Sequence, residues 1–259
     1  MSTLVDYHVH LDLFQDHENM LGQCEDQGIE IFTMTTTPLA WERNKVLAQG
    51  RSAVRVGLGL HPQLVAQRAA EVEMFESLAP STDYIGEVGL DAGPRFYKSL
   101  GLQREVFLRI LRAAHRSGPK IFSLHSIRSA GKVLDCIEAE IPNPSAFGLV
   151  LHWFTGSKGE AQRALEMGCF FSVNPMMLRS ETARKTLQSL PLDRLLTETD
   201  GPFTEKTNGC RYLPADLSET MSELGGLHGL SAIAMGQQVM SNLIQLETVL
   251  KKCAVERAE

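Results

Sequence analysis

The sequence has no excess of basic residues, no long apolar run and no paired-cysteine motif. Its 25 Lys and Arg residues are outnumbered by 31 Asp and Glu residues, which gives a net charge of −6. Extended duplex-binding surfaces rely on many Lys and Arg contacts to phosphate, so this balance limits any nucleic-acid contact to a local patch. No apolar run approaches the roughly 18 residues that would span a membrane, and the N-terminus enters a predicted strand without a basic and apolar leader. We therefore expect a cytoplasmic protein that does not bind membranes.

The cysteines are odd in number and scattered along the chain. They are Cys24, Cys136, Cys169, Cys210 and Cys253. Because there is no CxxC pair, their spacing indicates neither a zinc knuckle nor a redox site. We expect them to be reduced and mostly packed in the interior.

Length and the alternation of element types favour one enzyme-sized domain. A chain of 259 residues that is 43% hydrophobic can bury a full core, and barrels of eight β/α units typically take about 250 residues. The strand-like segments are residues 4–10, 29–35, 54–58, 84–87, 121–125, 148–152, 170–173 and 195–199. Helical patterns separate them, and the clearest, 102–116, repeats Leu102, Val106, Ile110 and Ala113 at helical spacing. The alternation predicts a closed parallel TIM (β/α)8 barrel, a single α/β domain over residues 1–259.

Two histidines lie two residues apart in the first predicted strand. Side chains alternate along a strand, so His8 and His10 point to one face, where two imidazoles can chelate one metal ion. The alternative is a strand whose polar face happens to carry two histidines. The pair alone does not decide between these interpretations.

Further residues of metal-binding type follow later strands. Glu87 lies between glycines at a strand end, and His125 and His152 each end an apolar run typical of a buried parallel strand. Asp200 shares one face of the last strand with Glu198, in front of a Gly-Pro stop. A (β/α) barrel gathers its active site at the C-terminal ends of its strands, so these side chains converge if the barrel closes. The repeated placement favours a metal centre over isolated structural residues.

These residues lie in motifs that resemble those of TatD-type metal-dependent deoxyribonucleases of the amidohydrolase superfamily. The motifs are DYHVHLD (6–12), GLHP (59–62), GEVGLD (86–91), HSIRSA (125–130), HWFTG (152–156) and ETDGP (198–202). The resemblance, which covers roughly the first four fifths of the chain, is specific because the motifs occur in order. It implies a TIM barrel that cleaves phosphodiester bonds in DNA, often by trimming single-stranded or frayed ends from the 3′ side.

The same resemblance implies two divalent metal ions, with zinc, magnesium and manganese as candidates. One ion would be held by His8, His10, Glu87 and Asp200, and a second by Glu87, His125 and His152. Glu87 would bridge the two ions, and Asp200 would also accept the proton of the attacking water.

Three more residues are candidates for supporting roles. His61 resembles the family's substrate-side histidine, although it is equally consistent with a loop histidine that supports a turn. Arg128 resembles the family's phosphate-binding arginine; otherwise it is a solvated residue in a first helical turn. Glu198 can orient a ligand imidazole. Other cations that could form a small positive mouth are Arg95, Lys98, Lys158 and Arg179.

One loop departs from the family pattern. After the final Asp the family commonly carries a basic segment, whereas residues 204–214 read TEKTNGCRYLP. Because that loop would border the substrate cleft, it affects substrate choice most, and Lys206 and Arg211 are candidates to replace the missing charges. The C-terminal segment 231–256 is predicted to be helical and to complete the outer layer of the barrel.

A second resemblance concerns the segment after the second strand. TTTPLAW (35–41), with GLGLHPQL (57–64), resembles the TatD-like component, QatD, of bacterial Qat anti-phage defence systems. This would imply protein partners in addition to DNA, whereas a strand-to-helix turn with a capping residue would imply none.

Two other functions fit the same residues. One is hydrolysis of an ester, amide, lactone or aminoacyl-tRNA bond, since the same centre activates water for either reaction. The other is a non-catalytic barrel subunit of a complex, which the complete ligand set disfavours. The sequence leaves open the native ion, DNA against RNA, and the oligomeric state.

Overall fold

Each predicted strand forms, and together the strands make a closed barrel. The computed structural model describes residues 4–256, with side chains described through residue 251. The strands of this part are Val5–Val9 (β1), Glu30–Met34 (β2), Val54–Gly57 (β3), Tyr84–Gly89 (β4), Ile121–His125 (β5), Gly148–His152 (β6), Phe170–Val173 (β7) and Leu195–Thr197 (β8). Apolar runs form them because β-branched and aromatic side chains pack well in a sheet that is buried on both faces.

Two junctions close the ring. The strands are parallel neighbours in the orders β1-β2-β3 and β4-β5-β6-β7-β8. β3 joins β4 through a parallel bridge between Leu58 and Ile85. The end of β8 joins β1, where the backbone N–H of Asp200 donates to the carbonyl of His8 at 2.8 Å. The first and last strands are therefore neighbours, and this brings the predicted ligands together.

Helices surround the barrel and cover one of its ends. They are His17–Gln27 (α1), Trp41–Ala48 (α2), Val65–Arg68 (α3), Val72–Leu78 (α4), Leu100–Arg116 (α5), Ala130–Glu140 (α6), Lys158–Glu166 (α7), Pro175–Arg179 (α8), Glu181–Ser189 (α9), Leu217–Leu227 (α10) and Ala232–Glu256 (α11). The helical pattern predicted over 102–116 corresponds to α5, but its first apolar position was wrong. Leu102 is exposed and Gln103 is buried. Gln103 accepts the N–H of Asp91 at 2.8 Å and donates to its carbonyl at 3.1 Å, so a polar contact to the loop after β4 replaces apolar packing.

The last helix, α11, covers the N-terminal end of the barrel, which corrects the prediction that it completes the outer layer. Asn242 donates to the carbonyls of Leu192 and Leu195, just before and at the start of β8, at 2.7 Å each. Glu247 accepts from Arg55 on β3 and from the hydroxyl of Tyr84, the first residue of β4. Without a cover, the N-terminal end of the barrel would expose the apolar interior to water. The helix α11 supplies that cover.

Two composition-based predictions can be compared with the structure. Cys24, Cys136 and Cys169 are buried free thiols and Cys210 is exposed, which agrees with the prediction that the cysteines are mostly packed in the interior. The side chain of Cys253 lies outside the described part. No helix among the described residues is both long and apolar enough to cross a membrane.

Candidate metal centre

The predicted ligands lie together at the C-terminal end of the barrel. They are His8, His10, Glu87, His125, His152 and Asp200, and none is more than 5% exposed. Water is therefore largely excluded from their donor atoms. Polar groups buried this deeply require hydrogen-bond or metal partners.

The first group of donor atoms lies between β1, β4 and the end of β8. The Nε2 atoms of His8 and His10 are 3.1 Å apart. Oε2 of Glu87 lies 3.3 Å from the first and 3.4 Å from the second, and Oδ1 of Asp200 lies 3.7 Å from each. A tetrahedral ion with bonds of about 2.1 Å needs donor atoms about 3.4 Å apart. The spacings of His8 and His10 to each other, to Glu87 and to Asp200 are therefore close to those that a metal ion needs, and His8, His10 and Asp200 form one group of donors that could hold an ion.

The second group surrounds the other carboxylate oxygen of Glu87. Oε1 lies 2.5 Å from Nδ1 of His125, 3.1 Å from Nε2 of His61 and 3.5 Å from Nε2 of His152. Because its two oxygens face different groups of imidazoles, Glu87 has the geometry of a bridging ligand. His61, which the sequence could not place, points into this group.

Hydrogen bonds at the far nitrogens orient the imidazoles of β1. Nδ1 of His10 lies 2.9 Å from the carbonyl oxygen of Met34, so Nδ1 donates its proton there and Nε2 presents a lone pair to the site. Nδ1 of His8 lies 2.7 Å from Oγ of Ser123 on β5. Both rings are thus prepared to coordinate through Nε2.

Glu198 holds the ring of His152. Its Oε1 lies 3.0 Å from Nδ1 of His152 and accepts from Nδ2 of Asn174 at 3.0 Å and from the N–H of Trp153 at 3.2 Å. Its Oε2 accepts from the hydroxyl of Ser172. A carboxylate behind a ligand imidazole fixes the ring and raises its basicity. The supporting role of Glu198 stays a prediction, and these contacts are the ones that it requires.

Asp91 plays the same part for His125, and sequence reasoning missed it. Its Oδ2 lies 3.0 Å from Nε2 of His125 and accepts from Nε2 of Gln63 at 2.8 Å. Burial opposes ionisation, but these hydrogen bonds and that of Gly93 lower the pKa of Asp91 to about 2. The carboxylate therefore stays charged and turns Nδ1 of His125 toward Glu87.

Two glycines allow β4 to present Glu87. A Cβ at Gly59 would overlap the carbonyl oxygen of Thr35 and the backbone nitrogen of Glu87. Gly89 has φ 138°, and a Cβ there would overlap the carbonyl of His125. Side chains at these positions would push neighbouring strands apart, so glycine permits the close approach that puts Glu87 between the imidazoles.

Opposing charges in a buried site shift the pKa values. Burial raises the pKa of Asp200 to about 7, against the opposing effect of His152. Burial also disfavours a charge on His152, but Glu198, together with Glu87 and Asp200, outweighs it and raises the pKa of His152 to about 10. Burial and the neighbouring His152 lower the pKa of His8 to about 3. The surrounding imidazoles overcome burial and hold the pKa of Glu87 well below its usual range. The carboxylate of Glu87 is thus ionised and faces a protonated His152.

A cavity of about 500 Å³ opens above the donor atoms. Its walls include Leu13, Gln63, His61, Arg95, Trp153 and Phe203. Arg95 lines this cavity. Within the described residues, none of the other cations that the sequence suggested for a positively charged rim does so. Arg128 is exposed, has φ 52° and is not among the lining residues, so its phosphate contact stays a prediction.

The divergent loop after β8 does not supply the missing charges. Nζ of Lys206 lies 2.6 Å from Oδ1 of Asp216, and Nη1 of Arg211 lies 3.1 Å from Oε1 of Glu205. Neither cation lines the cavity within the described residues. That Lys206 and Arg211 replace the family's basic segment stays a prediction, which their pairing with carboxylates of the loop and of its flank disfavours.

Comparison with known proteins places these features in a family. The family model described as TatD related DNase matches residues 5–247. Deoxyribonuclease TATDN3 of Homo sapiens is 26% identical over 264 residues, which cover 94% of each chain. The 3'-5' ssDNA/RNA exonuclease TatD of Shigella flexneri is 26% identical over 242 residues, which cover 88% of this chain and 92% of the relative.

A solved structure supports the fold. The crystal structure of YJJV, a TatD homologue from Escherichia coli K12, aligns with a TM-score of 0.82 over 94% of this chain and 97% of that chain, at 24% identity. The predicted TIM-type barrel is thereby confirmed, and the family model confirms the predicted family resemblance. Since the family model runs from β1 into α11, this chain belongs to the TatD-related family of metal-dependent DNases.

Proposed function

We propose that the protein is a two-metal-dependent hydrolase that cleaves phosphodiester bonds at single-stranded DNA ends, with 3′-to-5′ polarity. The observation that carries this proposal is the sharing of Glu87 between two groups of donor atoms, one at each carboxylate oxygen. The names of the human and Shigella relatives, a deoxyribonuclease and a 3'-5' ssDNA/RNA exonuclease, supply the substrate class.

The donor set fits two divalent ions. His8, His10, Glu87 and Asp200 would hold the first, and Glu87, His125 and His152 the second. Ions held there would polarise the phosphodiester and supply a nucleophilic water near neutral pH. Imidazole and carboxylate donors accept zinc and manganese, and a carboxylate-rich site also accepts magnesium, so the native ion is set by supply and geometry.

Side chains at the site supply proton transfer, substrate contacts and the orientation of the imidazoles. Asp200 borders the cavity and has a carboxylate with a pKa near neutrality, which suits a group that takes a proton from the attacking water. His61 also borders the cavity, where it can donate a hydrogen bond to a phosphate oxygen. Glu198 and Asp91 act through other residues, because they contact the far nitrogens of His152 and His125.

The shape of the site favours a strand end over a duplex. The donor atoms are buried below a cavity of about 500 Å³, a size typical of small-ligand sites. A terminal nucleotide can enter such a cavity, whereas a duplex must first fray to bring a phosphate down to the donor atoms. The net charge of −6 agrees with contacts confined to the cavity and its rim.

A direct test uses metal-stripped protein reloaded with magnesium, manganese or zinc and 5′-labelled single- and double-stranded DNA. We expect a metal-dependent ladder that shortens from the 3′ end on single strands and is lost in Asp200→Asn. Absence of cleavage with every ion would contradict the proposal. Turnover of carboxylic ester, lactone or amide substrates in the same preparation would then favour the alternative hydrolase function.

Three further predictions accompany this proposal. Residues 1–259 act as one hydrolase domain, the protein works in the cytoplasm, and protein partners of a defence system join DNA as its partners. Co-purification from the native host tests the partner prediction, since recovery of the protein alone would contradict it.

A further inference from the structure

Phe203 presents an aromatic ring at the rim of the cavity. Its side chain lines the cavity and the residue is 54% exposed, although large aromatic residues are usually buried. The ring lies edge-on to His10, with centroids 5.2 Å apart at 81°. One face of an exposed ring beside a ligand histidine is therefore available to a flat group that enters the site.

Hydrogen bonds on both sides of Phe203 fix the turn that carries it. The N–H of Phe203 donates to the carbonyl of Asp200 at 2.8 Å, and Nη1 of Arg211 donates to the carbonyl of Pro202 at 2.7 Å. On the far side, the hydroxyl of Thr204 donates to the carbonyl of Thr199 at 2.6 Å. Arg211 thus braces the turn through the carbonyl of Pro202. The backbone that carries the ring is held in place, so the ring needs little backbone reordering when it binds a ligand.

Arg95 supplies positive charge from the loop between β4 and α5. It lines the same cavity as Phe203, and its guanidinium lies 5.4 Å from the ring centroid of Phe96. In the described part of the chain no carboxylate pairs with Arg95, in contrast to Lys206 and Arg211. Among the described residues that line the cavity, it is the one Lys or Arg side chain. Among these residues Arg95 is therefore the side chain that can bind an anion at the cavity mouth through a permanent positive charge.

We propose that Phe203 and Arg95 form a subsite for the last two nucleotides at the 3′ end of a single-stranded substrate. Phe203 stacks on the terminal base, and Arg95 binds the backbone phosphate on the 5′ side of the scissile one. Aromatic stacking accepts every base and needs an unpaired one, while a guanidinium forks onto two phosphate oxygens. The subsite would select single-stranded ends without sequence preference. This proposal rests on the proposed function, because it names the substrate contacts of that site.

The test pairs each side chain with the chemical group that it is proposed to contact. We would measure kcat/KM of the metal-loaded chain on a 5′-labelled oligonucleotide, on the same oligonucleotide with an abasic terminal residue, and on one with a neutral methylphosphonate next to the scissile bond. The variants are Phe203→Ala, Phe203→Leu, Arg95→Gln and, as a matched exposed cation of the same segment, Lys98→Gln. Bound metal is measured in each variant.

Each substitution should lower kcat/KM only on substrates that carry the group which its side chain is proposed to contact. Phe203→Ala should lower kcat/KM about 5- to 150-fold on the normal oligonucleotide and leave the abasic one unchanged. Phe203→Leu should lose most of the same factor, because leucine keeps the apolar contact but has no flat face. Arg95→Gln should cost on the order of 10-fold, except on the methylphosphonate. Lys98→Gln and the metal content of all variants should match the parent.

Several results would overturn the subsite. An equal loss on normal and abasic substrates would mean that Phe203 does not contact the base, and unchanged kcat/KM in Phe203→Ala or Arg95→Gln would remove that residue from the subsite. In both cases the parent enzyme still cleaves DNA, so the proposed function stands. If the parent cleaves no oligonucleotide with any ion, the proposed function fails and the subsite fails with it.

Discussion

Replacing Glu198 with glutamine removes one buried charge behind His152 and retains the hydrogen bonds around it. The amide oxygen can take the place of Oε1, which accepts from Asn174 and Trp153 and faces Nδ1 of His152. The amide nitrogen then takes the place of Oε2 and donates to Ser172, whose hydroxyl can accept as well as donate. The substitution therefore tests charge with little change of shape.

The expected effect is weaker metal binding. Loss of a carboxylate behind a ligand imidazole typically costs about 10- to 100-fold in metal affinity, or about 1.4 to 2.8 kcal/mol. The loss should grow with pH. In the parent the raised pKa of His152, about 10, means that apparent affinity keeps rising with pH until that proton is gone. In Glu198→Gln the pKa of His152 falls, so the rise should end at a lower pH.

Isothermal titration of the stripped protein with zinc, at several pH values, measures this difference. Glu247→Gln is a matched control, because Glu247 also accepts hydrogen bonds but lies at the opposite end of the barrel. It should lower Tm slightly and leave metal affinity unchanged. Equal affinity of Glu198→Gln and the parent at every pH would refute the assigned role of Glu198.

Three further substitutions each test one structural feature: the orientation of His125, the spacing of the strands at Gly89, and the contact of α11 with the end of the barrel. Asp91→Asn should weaken binding of the second metal ion about 10-fold or more, since it removes the charge that orients His125; a titration in which both binding steps match the parent would exclude this role. Gly89→Ala should lower the free energy of unfolding by at least about 1 to 3 kcal/mol in urea, because φ 138° disfavours a side chain; an unchanged midpoint would contradict it. Asn242→Ala should cost about 1 to 3 kcal/mol through the loss of its two hydrogen bonds to the carbonyls of Leu192 and Leu195, with metal affinity unchanged, and a loss of metal would show that α11 acts on the site.

The barrel was predictable because short apolar runs alternate with helical patterns, and the bounds of β5, β6 and β7 agree with the prediction. The position of α11 was not predictable, since an apolar helix face does not tell which surface of the barrel it covers. Leu102 illustrates a second limit. Periodicity assigned it to the interior, but the hydrogen bonds of Gln103 to Asp91 decide the first turn of α5.

The candidate ligands converge because each lies at the end of a strand, and those strand ends can be recognised in the sequence. The residues that orient them are less visible, although Ser123 and Ser172 each interrupt an apolar strand and could have been recognised as inward-facing polar groups. The direction of side chains in loops could not be predicted from the sequence. His61 points at Glu87 while Arg128 is exposed, and no spacing rule distinguishes two residues that each follow a strand.

The central claim is that two ions sharing Glu87 carry out the hydrolysis of single-stranded DNA. The most direct measurement titrates stripped protein with manganese and records bound metal per chain and cleavage rate on the same samples, for the parent and for Asp200→Asn. We predict that cleavage appears as bound metal approaches two ions per chain, and that Asp200→Asn stays inactive even when metal saturates it. Full activity at one bound ion, or an active Asp200→Asn, would contradict the account.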